Sequence, residues 1–297
     1  MVQGLLESHA HRRFAVALLG AMSLWAMAGI AAAQGDAGRG QYLAQISGCS
    51  ACHTETTSGA VPYAGGRALK TPFGTFYGPN ITPHPQAGIG AWSEADFMLA
   101  IREGLRPDGA HCFPAFPYPS FTKISDGDLR DLWAFFRTLA PSDRANQAHE
   151  LHFPFSSRGL VASWKQLFFK PGPMAEDPRQ SPVVNRGAYI VQALGHCGEC
   201  HTPRSALGGP EPKHFLAGTK SGPEGKAVPD ITPAKLKKWT DAELKQFLLS
   251  GVRPGGEVTT EAMSEVIRDA TSHLTPDDLA AIIAYLRSLP AIADEAR

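Results

Sequence analysis

The sequence has no excess of charge of either sign. Lys and Arg together number 28 and so do Asp and Glu, and charged residues make up only 19% of the 297 residues. A balance of this kind advertises no polyanion partner and speaks against nucleic acid binding. Past the first three dozen residues there is no apolar run long enough to span a bilayer. Sulfur is scarce, with five cysteines and six methionines, and none of the methionines lies between residues 99 and 173. Glycine (30) and proline (24) are plentiful, which points to short helices joined by structured loops. The length suffices for two modest domains with cores of their own.

The N-terminus has the pattern of an export signal. His11-Arg12-Arg13 precedes the apolar FAVALLGAMSLWAMAGI, and Ala31-Ala32-Ala33 forms a small-residue cleavage site before Gln34. Residues 1–33 therefore read as a signal peptide and the remainder as a periplasmic protein. The alternative is an uncleaved segment that anchors the chain to the outer face of the inner membrane.

Four of the five cysteines fall in Cys49-Ser-Ala-Cys52-His53 and Cys197-Gly-Glu-Cys200-His201, both C-x-x-C-H. At this composition one such motif is expected by chance about 0.003 times per chain. The spacing suits two thiols adding across the vinyl groups of one haem, with the next histidine as proximal iron ligand. Cys49, Cys52, Cys197 and Cys200 are the expected attachment residues for two covalent haems c, and His53 and His201 the iron ligands. A single four-cysteine zinc site leaves both histidines unexplained. A thioredoxin-like redox pair lacks its βαβ setting.

An internal duplication organises the rest. RGQYLAQISGCSACHT (39–54) matches RGAYIVQALGHCGECHT (186–202) with one residue inserted before the second motif. NITP (80–83) matches DITP (230–233), GLRPDG (104–109) matches GVRPGG (251–256), and AFFRTLAP (134–141) matches AYLRSLP (284–290). Ser93 with Asp96, and Thr240 with Glu243, form capping boxes after matching tryptophans, Trp92 and Trp239. Closing helices are predicted from Ser125 and Thr275, with apolar faces Leu129/Leu132/Trp133/Phe136 and Leu279/Ile282/Ile283/Leu286. The expected fold is all-α, two tandem cytochrome c-like domains at residues 35–142 and 182–292. A linker, 143–181, packs them together.

Met263 lies 24 residues after Trp239, where a thioether sixth ligand is expected. The same offset from Trp92 falls on Phe116, inside GAHCFPAFPYPSF (109–121), a loop with four aromatics, three prolines and the fifth cysteine. A phenyl ring cannot bind iron. Three arrangements are open for the first haem: a five-coordinate iron under the phenyl ring, replacement of the missing sulfur by His111, Cys112 or Met98, or a ligand from water or another polypeptide.

These segments resemble the cytochrome c subunits of bacterial membrane-bound alcohol, gluconate and aldehyde dehydrogenases. The likeness runs through RGQYLAQISGCSACHT, TPFGTFYGPNITPHPQAGIGAWSEADF, AHCFPAFPYPS, ELHFPFSSRGLVASWKQLFF, HCGECHTPR and LTPDDLAAIIAYLRSLP, and covers nearly all of residues 37–291. It implies an exported electron-transfer subunit that takes electrons from a partner dehydrogenase and passes them to quinone, another cytochrome or a terminal oxidase. It also implies the four cysteines, His53, His201 and Met263 as haem residues. Two departures stand out. The family usually carries three haem domains where two are found here, and its first ligand loop usually has methionine at Phe116. The rival class is an oxidoreductase or ligand-binding protein that acts at an open first haem.

Overall fold

The computed structural model describes residues 35–222 and 225–292. The signal segment predicted over 1–33 lies outside them. From Gly35 onward the chain forms one compact unit.

Each half opens with a helix that runs into its cysteine motif. Helix α1, Ala37–Ile46, is capped by Asp36, whose carboxylate accepts from the Gly38 and Arg39 amides. The motif helix α2, Cys49–His53, follows. Helix α3, Glu94–Glu103, starts at the Ser93/Asp96 capping box and stops at Gly104, in the left-handed conformation. A short turn, α4 (Tyr118–Phe121), leads to the closing helix α5, Asp126–Thr138, capped by Ser125. Both sequence-predicted helix starts are therefore where the capping chemistry puts them.

The linker contributes helix α6, Arg158–Phe168. The second half then repeats the plan. Helix α7, Pro182–Tyr189, passes into a π-helical turn, Ile190–Leu194, and the motif helix α8, Gly198–His201. Helices α9 (Pro233–Leu236), α10 (Asp241–Ser250, with the Thr240/Glu243 box), α11 (Glu261–Asp269) and α12 (Pro276–Ser288, capped by Thr275) complete it. The residue inserted before the second motif is absorbed by the π turn, which takes one extra residue without breaking the helix.

In each half the first and last helices cross tightly. A Cβ on Gly40 would lie 1.9 Å from the Asp131 carbonyl oxygen, and one on Gly187 would lie 1.9 Å from that of Ala281. Glycine is needed here because backbone meets backbone. Of the predicted apolar faces, Leu129, Leu132 and Phe136 in one half and Leu279, Ile282, Ile283 and Leu286 in the other are buried, while Trp133 is half-buried against them. They belong to a single hydrophobic cluster that also takes in Leu43, Phe97, Ile190, Leu194 and Leu244. The two halves thus share one core.

To the expected helices the structure adds a small antiparallel sheet. Strands β1 (Ala68–Thr71) and β2 (Gly74–Tyr77) form a hairpin, and β3 (Glu150–Leu151) from the linker pairs with β2. The linker touches both halves. Val161 packs on Phe76 and Phe113, while Phe168 covers Gly209. The Met174 amide donates to the Lys123 carbonyl at 3.0 Å, and the Gly172 amide to Thr122 Oγ1 at 2.8 Å.

A candidate pair of haem centres

The two motif helices are held in the same way. The carbonyl oxygens of His53 and His201 accept from the amides of Gly65 and Gly218, both at 2.7 Å. Thr54 Oγ1 accepts the Tyr63 amide at 3.0 Å, and Thr202 Oγ1 accepts the Leu216 amide at 3.1 Å. Downstream, the Asn80 side chain accepts from the Thr82 amide at 2.9 Å and Asp230 from the Thr232 amide at 2.6 Å. The matched NITP and DITP segments are therefore the same turn used twice.

That turn orients the histidines. His53 Nδ1 is 2.7 Å from the Pro79 carbonyl oxygen, and His201 Nδ1 is 2.8 Å from that of Pro229. A carbonyl only accepts, so each Nδ1 carries the proton and each Nε2 keeps its lone pair. Burial lowers both imidazole pKa values, opposed by the bond to the proline carbonyl, and so favours the neutral ring. This is the tautomer an iron ligand needs, with the second hydrogen bond that fixes ring orientation.

The four motif cysteines are free thiols. Burial, reinforced by the neighbouring motif thiol, pushes Cys49 and Cys197 up to about 12. Burial with the Glu199 charge takes Cys200 to about 11, and Cys52 is also raised, burial being the largest cause. They are thus held as uncharged thiols. Among the described residues no three of His, Cys, Asp and Glu converge as a metal cluster, so the cysteines form two separate pairs rather than a four-sulfur zinc site. Paired thiols next to a neutral, carbonyl-anchored imidazole fit haem c at both places.

The ligand loops also correspond. Leu105 bridges His111, and the Cys112 amide donates to the Gly104 carbonyl at 2.8 Å. In the second half Val252 bridges Val258, and the Thr259 amide donates to the Gly251 carbonyl at 2.8 Å. Cys112 is therefore the counterpart of Thr259, and Phe116 of Met263, each four residues on. Met263 is half-buried on α11. The Phe116 ring packs 5.7 Å from Phe121 and 6.4 Å from Tyr118, centre to centre.

The other candidate ligands are engaged in other ways. Lys165 Nζ on α6 lies 3.2 Å from His111 Nδ1, and Arg158 donates to the His111 carbonyl. The ammonium can only donate, so Nδ1 accepts and the ring proton sits on Nε2. Burial raises the Cys112 thiol against the opposing charges of Arg106, Arg158 and Lys165, which disfavours a thiolate. Met98 is half-buried against the core cluster.

Two features lay outside the sequence reading. The anchoring carbonyls of Pro79 and Pro229 were legible only as the residues before NITP and DITP. His196, the residue before the second motif, has φ 38° where Gly48 has φ 64°. The one-residue insertion was its signal.

A cytochrome c family model matches residues 37–140 and 184–290. The chain belongs to the cytochrome c family and carries that unit twice. It is 41% identical to a diheme cytochrome c-type protein of Cereibacter sphaeroides, over 93% of this chain and 96% of that one. It is 37% identical to the gluconate 2-dehydrogenase cytochrome c subunit of Pantoea cypripedii, over 92% of this chain and 64% of that subunit. It is also 39% identical to the alcohol dehydrogenase (quinone) cytochrome c subunit of Gluconobacter oxydans, over 86% and 55%. The chain thus spans little more than half to two thirds of those dehydrogenase subunits. Kinship with a dihaem protein and with these subunits makes electron transfer through haem c its chemistry.

Proposed function

We propose that the protein is an exported dihaem cytochrome that relays single electrons from a partner dehydrogenase to a respiratory acceptor, which is a cytochrome, a quinone or a terminal oxidase. The first haem is attached through Cys49 and Cys52 with His53 on its iron. The second is attached through Cys197 and Cys200 with His201 and Met263 as its ligands. One cytochrome unit spans 35–142 and the other 182–292, with 143–181 between them. The carrying observation is the doubled histidine geometry, Nδ1 on Pro79 and Pro229 at 2.7 and 2.8 Å, each ring beside a thiol pair.

Haem c, when bound, supplies a one-electron centre of adjustable potential. The chain's own residues set that potential. The proline carbonyls hold the imidazole protons, the shared core excludes water, and Met263 offers a thioether that favours the reduced iron. Phe116 in the matching loop leaves the first centre without that thioether, so its potential is the lower of the two. Haem held at the first site would therefore serve as the donor, and haem held at the Met263 site as the acceptor.

Periplasmic placement is supported by the sequence of residues 1–33 and by the attachment chemistry. Contact with the membrane runs through the partner or an uncleaved N-terminus. No helix among the described residues is long and apolar enough to cross a membrane.

The test is a reductive titration of the haem-loaded chain beside assays with peroxide, nitrite and thiosulfate. Two haems per chain, two one-electron steps and no turnover support the relay. Turnover that is lost in His53→Ala and kept in Met263→Ala would instead make the first centre an enzyme.

A further inference from the structure

The halves are joined through their haem-attachment ends. Glu199, inside the second motif, accepts from Ser120 Oγ of the first half at 2.6 Å. Arg67, just before the hairpin that follows the first motif, pairs with both carboxylate oxygens of Glu265 at 3.0 and 2.9 Å. Glu265 lies on α11, the helix that bears Met263, and a Cβ on Gly48 would meet the Ala270 Cβ at the end of that helix at 3.8 Å. Each motif is thus covered by the other half's ligand-loop segment, in a crosswise, pseudo-twofold arrangement.

His196 stands at this junction, directly before Cys197. Its ring meets Phe121 of the first half edge-on, with centres 5.4 Å apart. Burial lowers its pKa, against the Glu199 charge and a hydrogen bond with the Ser47 backbone, so the ring also reaches the residue two before Cys49. The backbone at His196 is left-handed, with φ 38°, which strains a residue that carries a Cβ. The first half uses glycine there, and the helix before His196 takes a π turn. Strain of this sort at an interface marks a side chain that is needed where it is.

We infer that electron exchange between the two haems crosses this junction of attachment ends, with His196 as the positioning residue whose ring fills the space between them. The inference rests on the dihaem reading above. Without the ring the space is void or water, and tight packing between the two attachment ends is lost.

The experiment uses the full haem-loaded chain, with an electron injected by a light-triggered donor and its redistribution between the two spectrally distinct haems followed in time. His196→Gly places the first half's own residue at a left-handed position, so relief of backbone strain offsets the lost ring packing and the fold is kept. His196→Phe restores a planar ring. Expected are two haems and unchanged potentials in both variants, exchange slowed roughly tenfold or more in His196→Gly, and exchange near wild type in His196→Phe. Wild-type exchange in His196→Gly would overturn the inference and leave the relay reading intact. Failure of the wild type to take up two electrons would instead sink the relay reading, and it is read in the titration before any variant is made.

Discussion

The Tyr42 hydroxyl donates to Oδ2 of Asp278 at 2.6 Å across 236 residues of sequence. The same oxygen of Tyr42 accepts the Thr275 amide, the N-cap of α12, at 3.2 Å. Its mirror is Tyr189, which donates to Asp128 at 2.7 Å and accepts the Ser125 amide at 2.9 Å. Each tyrosine sits on the first helix of one half and caps the last helix of the other. Arg186 completes one site, with Nε and Nη2 at 2.7 Å from the Asp278 carboxylate. Arg39 completes the other, 2.5 Å from Asp128.

Removing either hydroxyl leaves a carboxylate short of a donor and a helix-cap amide short of an acceptor. Tyr42→Phe and Tyr189→Phe are each expected to cost about 2 kcal/mol in urea unfolding. Arg186 also lies over the Tyr189 ring, 5.7 Å from its centre, so the two sites touch and the double variant should depart from the simple sum. A loss well below either single value would show that the crosswise caps do not hold the halves together.

Asp278 also carries a pH signature. Burial raises its pKa, but the hydrogen bonds from Arg186 and Tyr42 and the charges of Arg186 and Arg39 outweigh it, and the net shift is downward. A depressed carboxylate contributes stability above its unfolded value of about 3.9, and that contribution is lost as the pH falls through the lower folded value. The wild type should therefore lose stability below about pH 4. Asp278→Asn should be less stable at neutral pH and flatter across that acid range. Parallel pH curves for the two proteins would count against the linkage.

The register of the ligand loops predicts that Phe116→Met supplies the missing thioether. The first centre should become low-spin in electron paramagnetic resonance, with its potential raised toward that of the second. Met263→Ala should do the opposite to the second centre. If Phe116→Met leaves the spectrum and both potentials unchanged, then another group already occupies the first iron or the loop places residue 116 elsewhere.

Two glycines give contrasting outcomes. Gly187→Ala forces a Cβ to 1.9 Å from the Ala281 carbonyl oxygen, and overpacking at such a backbone contact should cost about 3 kcal/mol or more. Gly109→Ala meets nothing within 4 Å and bears only its positive φ of 77°, for about 1 kcal/mol. Thermal unfolding of the pair separates steric contact from backbone strain.

The sequence by itself determined what depends on short spacing. Two cysteines and a histidine in five residues announce haem attachment wherever they lie. A serine or threonine three residues before an acid starts a helix by local hydrogen bonding, as at Ser93 and Thr240. The duplication aligns Phe116 with Met263, and the structure keeps the two loops in that register. The tertiary structure decided what depends on residues far apart. The hairpin partner β3 comes from the linker some seventy residues on, and two residues of strand carry too little pattern to be read. The crosswise pairing of Tyr42 with Asp278, and the placing of His196 between the two attachment ends, follow from how the halves bury a shared core. No local spacing encodes that choice, because the free energy of joining the halves is distributed over side chains hundreds of residues apart.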